Sequence, residues 1–413
     1  MNKSIDRCRI CGNKELAEVL DLGVQALTGV FPQSKSQKVT SGPLRLVKCM
    51  GDDVCGLLQL QHSYDLSEMY GLNYGYRSGL NKSMVDHLHG KVRAILPRVQ
   101  LSADSLVIDI GSNDSTTLQA YPNTVGNLVG IDPTGIKFGH YYPPHIKLIA
   151  DFFSASRVRD AYGSKKAVVV TSFSMFYDLE EPLAFMQDVF DSLDDEGVWV
   201  FEQSYMPTML SQNSYDTVCH EHLEYYGLKQ IQWMAKRVGL TIVDVEFNDV
   251  NGGSFSVIAA KTGSRQARSA KSIEGLLDTE RQLGLDTLQP YVEFAARTRE
   301  SRDALVGFVD SAIRQGKSVS ALGASTKGNV VLQYCGFDET KIRQVGEVNE
   351  TKFGCFTPGS LIPIVPEADL LKAGPDHLLV LPWHFRYFFE KLASLKGRNL
   401  LFPLPTLESV CPQ

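Results

Sequence analysis

Leu106-Val107-Ile108-Asp109-Ile110-Gly111-Ser112-Asn113-Asp114 is the stretch that decides the fold. Its first five residues, apolar except for Asp109, read as a strand buried on both faces, as in a parallel sheet. Gly111 then turns the chain and, having no Cβ, lets the backbone come close to a ligand. The next strand, Leu128-Val-Gly-Ile-Asp132-Pro133, ends on an acid placed to accept both hydroxyls of a ribose. A third apolar run, Lys166-Ala-Val-Val-Val-Thr171, enters the loop Ser172-Phe-Ser-Met-Phe-Tyr177-Asp178. A helix is expected from about Pro182 to Leu193, and Gly197-Val-Trp-Val-Phe-Glu202 forms a fourth strand. This alternation specifies an α/β domain that holds its ligand at the carboxyl ends of the strands.

The turn has one glycine and a polar loop, not Gly-x-Gly-x-x-Gly. That suits S-adenosylmethionine, which has no pyrophosphate to seat on a helix N-terminus, and disfavours a dinucleotide oxidoreductase. The candidate cofactor residues are Asp109, Gly111, Asn113, Asp132 and Ser172. Asp151, ending the short strand 146–150, is placed for an adenine amine, with Phe152 packing on the ring. Asp114 reads as a helix N-cap.

Upstream, Cys8 and Cys11 form Cys-x-x-Cys before Gly12, and Cys49 and Cys55 follow with five residues between them. Two thiolate pairs on tight turns can close a tetrahedral Zn2+ site that supports a domain with little core. Four thiolates leave no open coordination position, so this zinc is expected to be structural. The rest of that region reads as short strands with turns at Asp21-Leu22-Gly23 and Ser41-Gly42-Pro43. Residues 64–100 read as helical, ended by Pro97, with Tyr74 and Tyr76 able to direct hydroxyls into a shared cleft.

In the last third, residues 290–315 read as a long helix leading to Ser318-Val-Ser-Ala-Leu-Gly323-Ala-Ser325-Thr-Lys327-Gly-Asn329. This second strand-glycine-helix unit has hydroxyls and a lysine where anionic oxygens would sit, without Walker spacing. Strand ends at Glu347 and at Pro382-Trp383-His384-Phe385-Arg386 complete a second Rossmann-like sheet. A base could stack on Phe353 or Trp383, and Lys327 and Arg386 could meet a pyrophosphate. The expected domains are 1–70 (zinc-binding), 71–285 (cofactor) and 286–413 (nucleotide-sugar).

Between the two sheets lies Tyr215-Asp-Thr-Val-Cys219-His220-Glu221-His222-Leu-Glu224-Tyr225-Tyr226. Two histidines, acids and tyrosines packed this densely form a proton-handling cluster. The 413 residues carry a net charge of -6, with no run of Lys and Arg, which argues against a nucleic-acid partner. No apolar stretch is long enough to span a bilayer, and the opening residues have no secretory h-region, so a cytoplasmic protein is expected.

These motifs together resemble the bacterial S-adenosylmethionine-dependent C-methyltransferases of nucleotide-linked 4-keto-deoxysugars. The resemblance rests on Cys8-Arg-Ile-Cys11-Gly12, Cys55-Gly-Leu-Leu-Gln-Leu60, Tyr74-Gly-Tyr76-Arg-Ser78-Gly79 and Asp109-Ile-Gly-Ser-Asn-Asp114. Tyr215–His222, Asn251-Gly-Gly-Ser254, Gly323–Asn329 and Trp383–Arg386 continue it in family order over essentially the whole chain. It implies a zinc-binding domain, a methyltransferase domain and a Rossmann-like domain holding the nucleotide sugar. It also implies His222 as the base that removes a proton beside the ketone, with Glu221 orienting the sugar or the imidazole and His220 behind. Tyr76 and Tyr215 would donate to the developing enolate. Tyr74, Ser325, Lys327, Asn329, Phe353, Trp383 and Arg386 would hold the substrate. Methylation at C3 is favoured over C5, in deoxysugar biosynthesis, by an enzyme expected to act as a monomer. The alternatives are an O- or N-methyltransferase and a non-catalytic nucleotide-sugar-binding protein.

The chain departs from the family at three places. Ser115 stands where the glycine loop usually has another Gly, the second cysteine pair is widened, and Cys219 occupies a position that is often Tyr.

Overall fold

The computed structural model describes residues 3–70 and 74–413, without the side chain of Leu66. The expected boundary between 70 and 71 falls at the edge of the undescribed segment, and residues 71–73 of the expected helix lie outside the described residues. Helix over 64–100 is otherwise broken up: one α-helical turn at Leu66–Met69, a 3-10 turn at Ser78–Leu80, and then α1 (Lys82–Ile95), capped by the Asn81 side chain. Pro97 sits in a 3-10 turn at its end.

In the N-terminal domain the strands are longer than expected: β1 (Leu16–Ala26), β2 (Ser41–Cys49) and β3 (Leu58–Leu60). The anticipated turn at Asp21–Gly23 is a bulge inside β1, where the register against β2 shifts between Asp21 and Val24. The central strands are β4 (Leu106–Ile110), β5 (Asn127–Ile131), β6 (Ile146–Ile149), β7 (Ala167–Phe173) and β8 (Leu193–Ser204). After them come β9 (Glu224–Tyr225), β10 (Leu240–Asn248) and β11 (Ser254–Lys261).

The central sheet has the order β10-β11-β8-β7-β4-β5-β6, with β11 antiparallel to both neighbours. The order reverses beside β4, so the crevice outside Gly111 is a topological switch point. No α-helix connects β4 to β5, only a 3-10 turn at Leu118–Ala120. Asp114 is therefore no helix cap: it accepts from Gly79 N (2.9 Å) and from the Thr116 hydroxyl.

In the C-terminal domain β12 (Val319–Leu322), β13 (Val345–Glu347), β14 (Ile364–Pro366), β15 (His377–Val380), β16 (Leu400–Phe402) and β17 (Glu408–Val410) form a second sheet. Its order is β14-β13-β12-β15-β16-β17, parallel except for β17. The long helix over Gln289–Arg314 matches the expected 290–315.

The domains are interlocked. β9 belongs by sequence to the cluster after the central strands, yet it pairs with β3 and completes the N-terminal sheet as β9-β3-β2-β1. Leu20, Leu44, Leu46, Leu58 and Leu60 pack into the core of the C-terminal domain, whereas Ile10, Cys55 and Leu57 pack into that of the central domain. Trp383 carries the third junction: its indole N–H donates to Asp216 Oδ2 at 2.8 Å, both residues being buried. Among the described residues Asp216 Oδ1 has no hydrogen-bond partner, so Trp383→Phe would strip a buried carboxyl of its one side-chain donor there. We expect it to lower the unfolding free energy by about 1–3 kcal/mol in denaturant titration; an unchanged midpoint would show that this bond does not hold the domains.

Candidate active site

A 3-10 turn at Tyr215–Thr217 brings the proton-handling segment to the junction of the three domains. His222 Nδ1 lies 2.8 Å from the Thr217 carbonyl. A carbonyl only accepts, so Nδ1 carries the proton and Nε2 is the free base. The ring sits edge-on to Tyr177, with centroids 4.4 Å apart. Burial, and then the Lys327 ammonium, lower the His222 pKa to about 4, so it is a neutral imidazole at pH 7.

Lys327 reaches in from helix α2 (Thr326–Tyr334) of the C-terminal domain and donates to Asn251 O at 2.8 Å. Burial lowers its pKa, while Asp216 and Cys219 favour its charge. His384, held down to about 3 by burial and then by Lys327, shares this environment. Glu221 is pushed up by burial and accepts from the Thr28 hydroxyl at 3.4 Å. Tyr70 and Tyr74 stack obliquely at 5.5 Å, and burial beside Asp178 raises both phenols. Tyr76, 47% exposed, stands at the mouth.

The structure thus gathers His222, Glu221, Tyr74, Tyr76 and Lys327 of the expected residues. It adds Tyr177, Asp178, His384 and Thr28. Position at the end of the β7 strand could have flagged Tyr177 and Asp178; nothing in the sequence flags Thr28.

Other expected residues stand elsewhere. Tyr215 is fully buried with an unpartnered hydroxyl, packed on Tyr334 in the C-terminal core, and so cannot donate to an enolate in the cleft. His220 is also fully buried, edge-on to Tyr64 and 3.4 Å from Gly42 O, so it backs the segment against the N-terminal sheet. Asn329 is buried and donates to Thr28 O at 2.8 Å, joining two domains. The Trp383 indole is committed to Asp216, leaving no stacking face for a base. Arg386 pairs with Glu390 and Glu408 at 2.6 and 2.7 Å, away from Lys327. Ser325 caps α2 through Gly328 N at 3.0 Å, and Phe353 is half-buried after the turn Glu350–Lys352.

At the switch-point crevice Gly111 has φ +70°, and a Cβ there would meet Met175 Cγ at 3.0 Å. Asp132 Oδ2 accepts from Asn113 N at 2.7 Å, and Oδ1 accepts from the Thr134 amide and hydroxyl, both at 2.6 Å. Three of roughly four acceptor positions are thereby used, leaving one for a ribose hydroxyl. The Asn113 side chain accepts from Ser78 N and donates to Tyr76 O, fastening the tyrosine segment over the crevice. Ser115, at φ +66°, holds the left-handed conformation that a glycine adopts without strain.

Asp109 lies behind this crevice: 2% exposed, raised to about 7 by burial, it accepts from the Thr171 hydroxyl at 2.6 Å. Ser172 is likewise committed inside the sheet, accepting from Trp199 Nε1 at 3.0 Å. Asp151 pairs with Arg157, while Phe152 is 46% exposed. The crevice fits S-adenosylmethionine: close backbone approach beside a fixed acid, with an exposed aromatic ring nearby.

The Sγ atoms of Cys8, Cys11, Cys49 and Cys55 all lie within 4.8 Å of one another, the nearest at 3.4 and 3.5 Å. Tetrahedral Zn–S bonds of about 2.3 Å separate the sulfurs by roughly 3.8 Å, so the donors fit a structural zinc. Between the first two ligands Arg9, its side chain 2% exposed, reaches Leu60 O at 2.5 Å and Glu224 at 3.8 Å. Arg9 of the metal knuckle thus lies beside an acid of the proton-handling segment, whose pKa burial raises against the opposing pull of Arg9.

Three family profiles tile the chain. Residues 8–70 match "Putative zinc binding domain", 84–245 match "Methyltransferase domain" and 249–405 match "C-methyltransferase C-terminal domain". The chain belongs to the S-adenosylmethionine-dependent C-methyltransferases. The C-methyltransferase NovU of Streptomyces niveus is 29% identical over 98% of this chain and 96% of its own length. A methyltransferase structure from Archaeoglobus fulgidus shares 14% identity at a TM-score of 0.35, covering 43% of this chain and 94% of that one. One from Clostridium acetobutylicum shares 11% at 0.34, covering 42% and 90%. No helix of the described residues is long and apolar enough to cross a membrane.

Two outcomes follow for the methyltransferase. Metal analysis should find one zinc per chain, and Cys11→Ser should lose it with a lowered Tm; an undiminished Tm would contradict a structural metal. Folding holds His220, His222 and His384 at about 4, 4 and 3, against 6.5 for an unperturbed imidazole. The unfolded chain therefore binds protons first on acidification, and stability is lost as pH falls from 6.5 to about 4. His220→Asn should flatten part of that slope in denaturant titrations at successive pH values; an identical slope would contradict the buried neutral imidazole.

Proposed function

We propose that the enzyme methylates a nucleotide-linked 4-keto-6-deoxysugar at a carbon next to the ketone, C3 in preference to C5. The ketone makes the adjacent C–H acidic, because the carbanion formed is delocalised onto oxygen as an enolate. The observation that carries this reading is the tautomer of His222. Its Nδ1–H is committed to Thr217 O, which leaves Nε2 unprotonated, open, and without a hydrogen bond among the described residues.

Nε2 of His222 takes the proton from the carbon. Tyr76 and the Lys327 ammonium supply positive potential to the enolate oxygen, where preorganised donors contribute most. Glu221 orients the sugar or the imidazole. Gly111, Asn113 and Asp132 hold S-adenosylmethionine, with Phe152 for its adenine; when bound it supplies an electrophilic methyl group on a sulfonium. The nucleotide belongs to the C-terminal side of the cleft, where Ser325 and Phe353 remain open to it in part. The burial and ordering of so many polar groups around one cleft support catalysis over simple binding. C-methylation sets aside the O- and N-methyltransferase alternatives, which need no carbon acid.

His222→Asn should retain fold and cofactor binding but lose both methyl transfer and solvent deuterium exchange at the carbon flanking the ketone, by at least about 100-fold. Exchange measured with a 4-keto-6-deoxysugar nucleotide and no cofactor checks it. Retained exchange would remove His222 as the base.

A further inference from the structure

Thr28 and Gly29 lie in the loop after β1 of the zinc-binding domain, with no metal ligand nearby in sequence, yet they touch the cleft. The Thr28 hydroxyl, fully buried, lies 3.4 Å from Glu221 Oε2. A Cβ on Gly29 would stand 2.6 Å from Glu221 Oε1 and 3.9 Å from the Thr326 hydroxyl. The Glu221 carboxylate is thus seated against two consecutive residues of another domain, one donating to it and the other leaving it room.

The loop is itself held in place. Asn329 donates to Thr28 O at 2.8 Å, and Gln333 brackets Ala26, accepting from its N at 2.7 Å and donating to its O at 3.2 Å. Phe356 N donates to Pro32 O at 2.8 Å, and the Lys352 ammonium sits 4.4 Å from the Phe31 ring. Every one of these partners comes from the C-terminal domain. A loop needed only to finish a strand would not require five fastenings, three of them from one helix face of α2.

We propose that Thr28 and Gly29 are positioning residues for methyl transfer: they fix the Glu221 carboxylate beside His222. The inference rests on the reading of Glu221 and His222 as working residues of the cleft. It assigns the zinc-binding domain a direct part in the reaction. The hydroxyl sets the direction of one carboxylate oxygen, and the missing side chain of Gly29 leaves space for the other. Asn329, placed by sequence with the substrate, acts through Thr28 instead.

Thr28→Val preserves shape and removes the hydroxyl, Thr28→Ser restores it, and Gly29→Ala crowds the carboxylate. In the full-length zinc-loaded enzyme, Thr28→Val should lower kcat about tenfold, as for a hydrogen bond to a charged group. KM for the nucleotide sugar, zinc content and Tm should stay near wild type, and Thr28→Ser should recover most of the loss. In a Glu221→Gln background Thr28→Val should cost nothing further. Independently of substrate, infrared difference spectra should show the Glu221 carboxyl band, identified by its loss in Glu221→Gln, shifted in Thr28→Val and Gly29→Ala. Wild-type kcat in Thr28→Val, failure of serine to rescue, or an unshifted carboxyl band would overturn the proposal. Absence of turnover by the wild type on 4-keto-sugars would instead overturn the substrate reading, and the infrared comparison would still decide the role of Thr28.

Discussion

The two-residue strand Glu224–Tyr225 is the constraint on which the rest of the structure depends. It pairs antiparallel with Leu58–Gln59, and Leu60 N donates to Leu223 O at 2.8 Å. Successive side chains of a strand face opposite ways. Tyr225 accordingly enters the core of the C-terminal domain and Tyr226 that of the central domain. Leu223 N donates to Tyr177 O, which ties the same segment to the loop after β7. His222 and Glu221 are fixed because the residues just behind them belong to a sheet of one domain and the cores of two others.

A site built this way has little slack, and its electrostatics reflect that. Glu224 is fully enclosed, raised by burial, and opposed by Arg9 of the zinc knuckle. On the opposite side burial, and then Lys327, keep His222 and His384 neutral. The zinc thiolates, His222 and the Lys327 ammonium thus come from three domains, and each domain closes the site only in the presence of the other two. Separate folding of the zinc-binding domain would expose leucines of β1–β3 that here lie in a core shared with the C-terminal domain.

Much of this was legible in the sequence. Five of the seven strands of the central sheet, the four thiolates, the long helix and the second sheet follow from apolar periodicity and spacing, which are local properties. The pairing of Glu224–Tyr225 with β3 is not local, and a strand of two residues carries no periodic signal. Tyr215, Asn329, Trp383 and Ser172 misled for a related reason. A polar side chain in a motif looks available, but each of these is buried, and all but Tyr215 are spent on a partner distant in sequence. Conversely Thr28 carries no motif, and only its contact with Glu221, a residue distant in sequence, marks it. The widened second knuckle shows its physical basis in the structure, where Gly51 and Asp53 take positive φ to carry the longer turn.

Hydrogen exchange followed by mass spectrometry, with and without a zinc chelator, tests directly whether the segment that carries His222 belongs structurally to the zinc-binding domain. Removing the metal should strip protection from residues 223–226 together with β1–β3, while β4, β5 and β7 keep theirs. Protection of 223–226 that survives alongside the central sheet would contradict this placement.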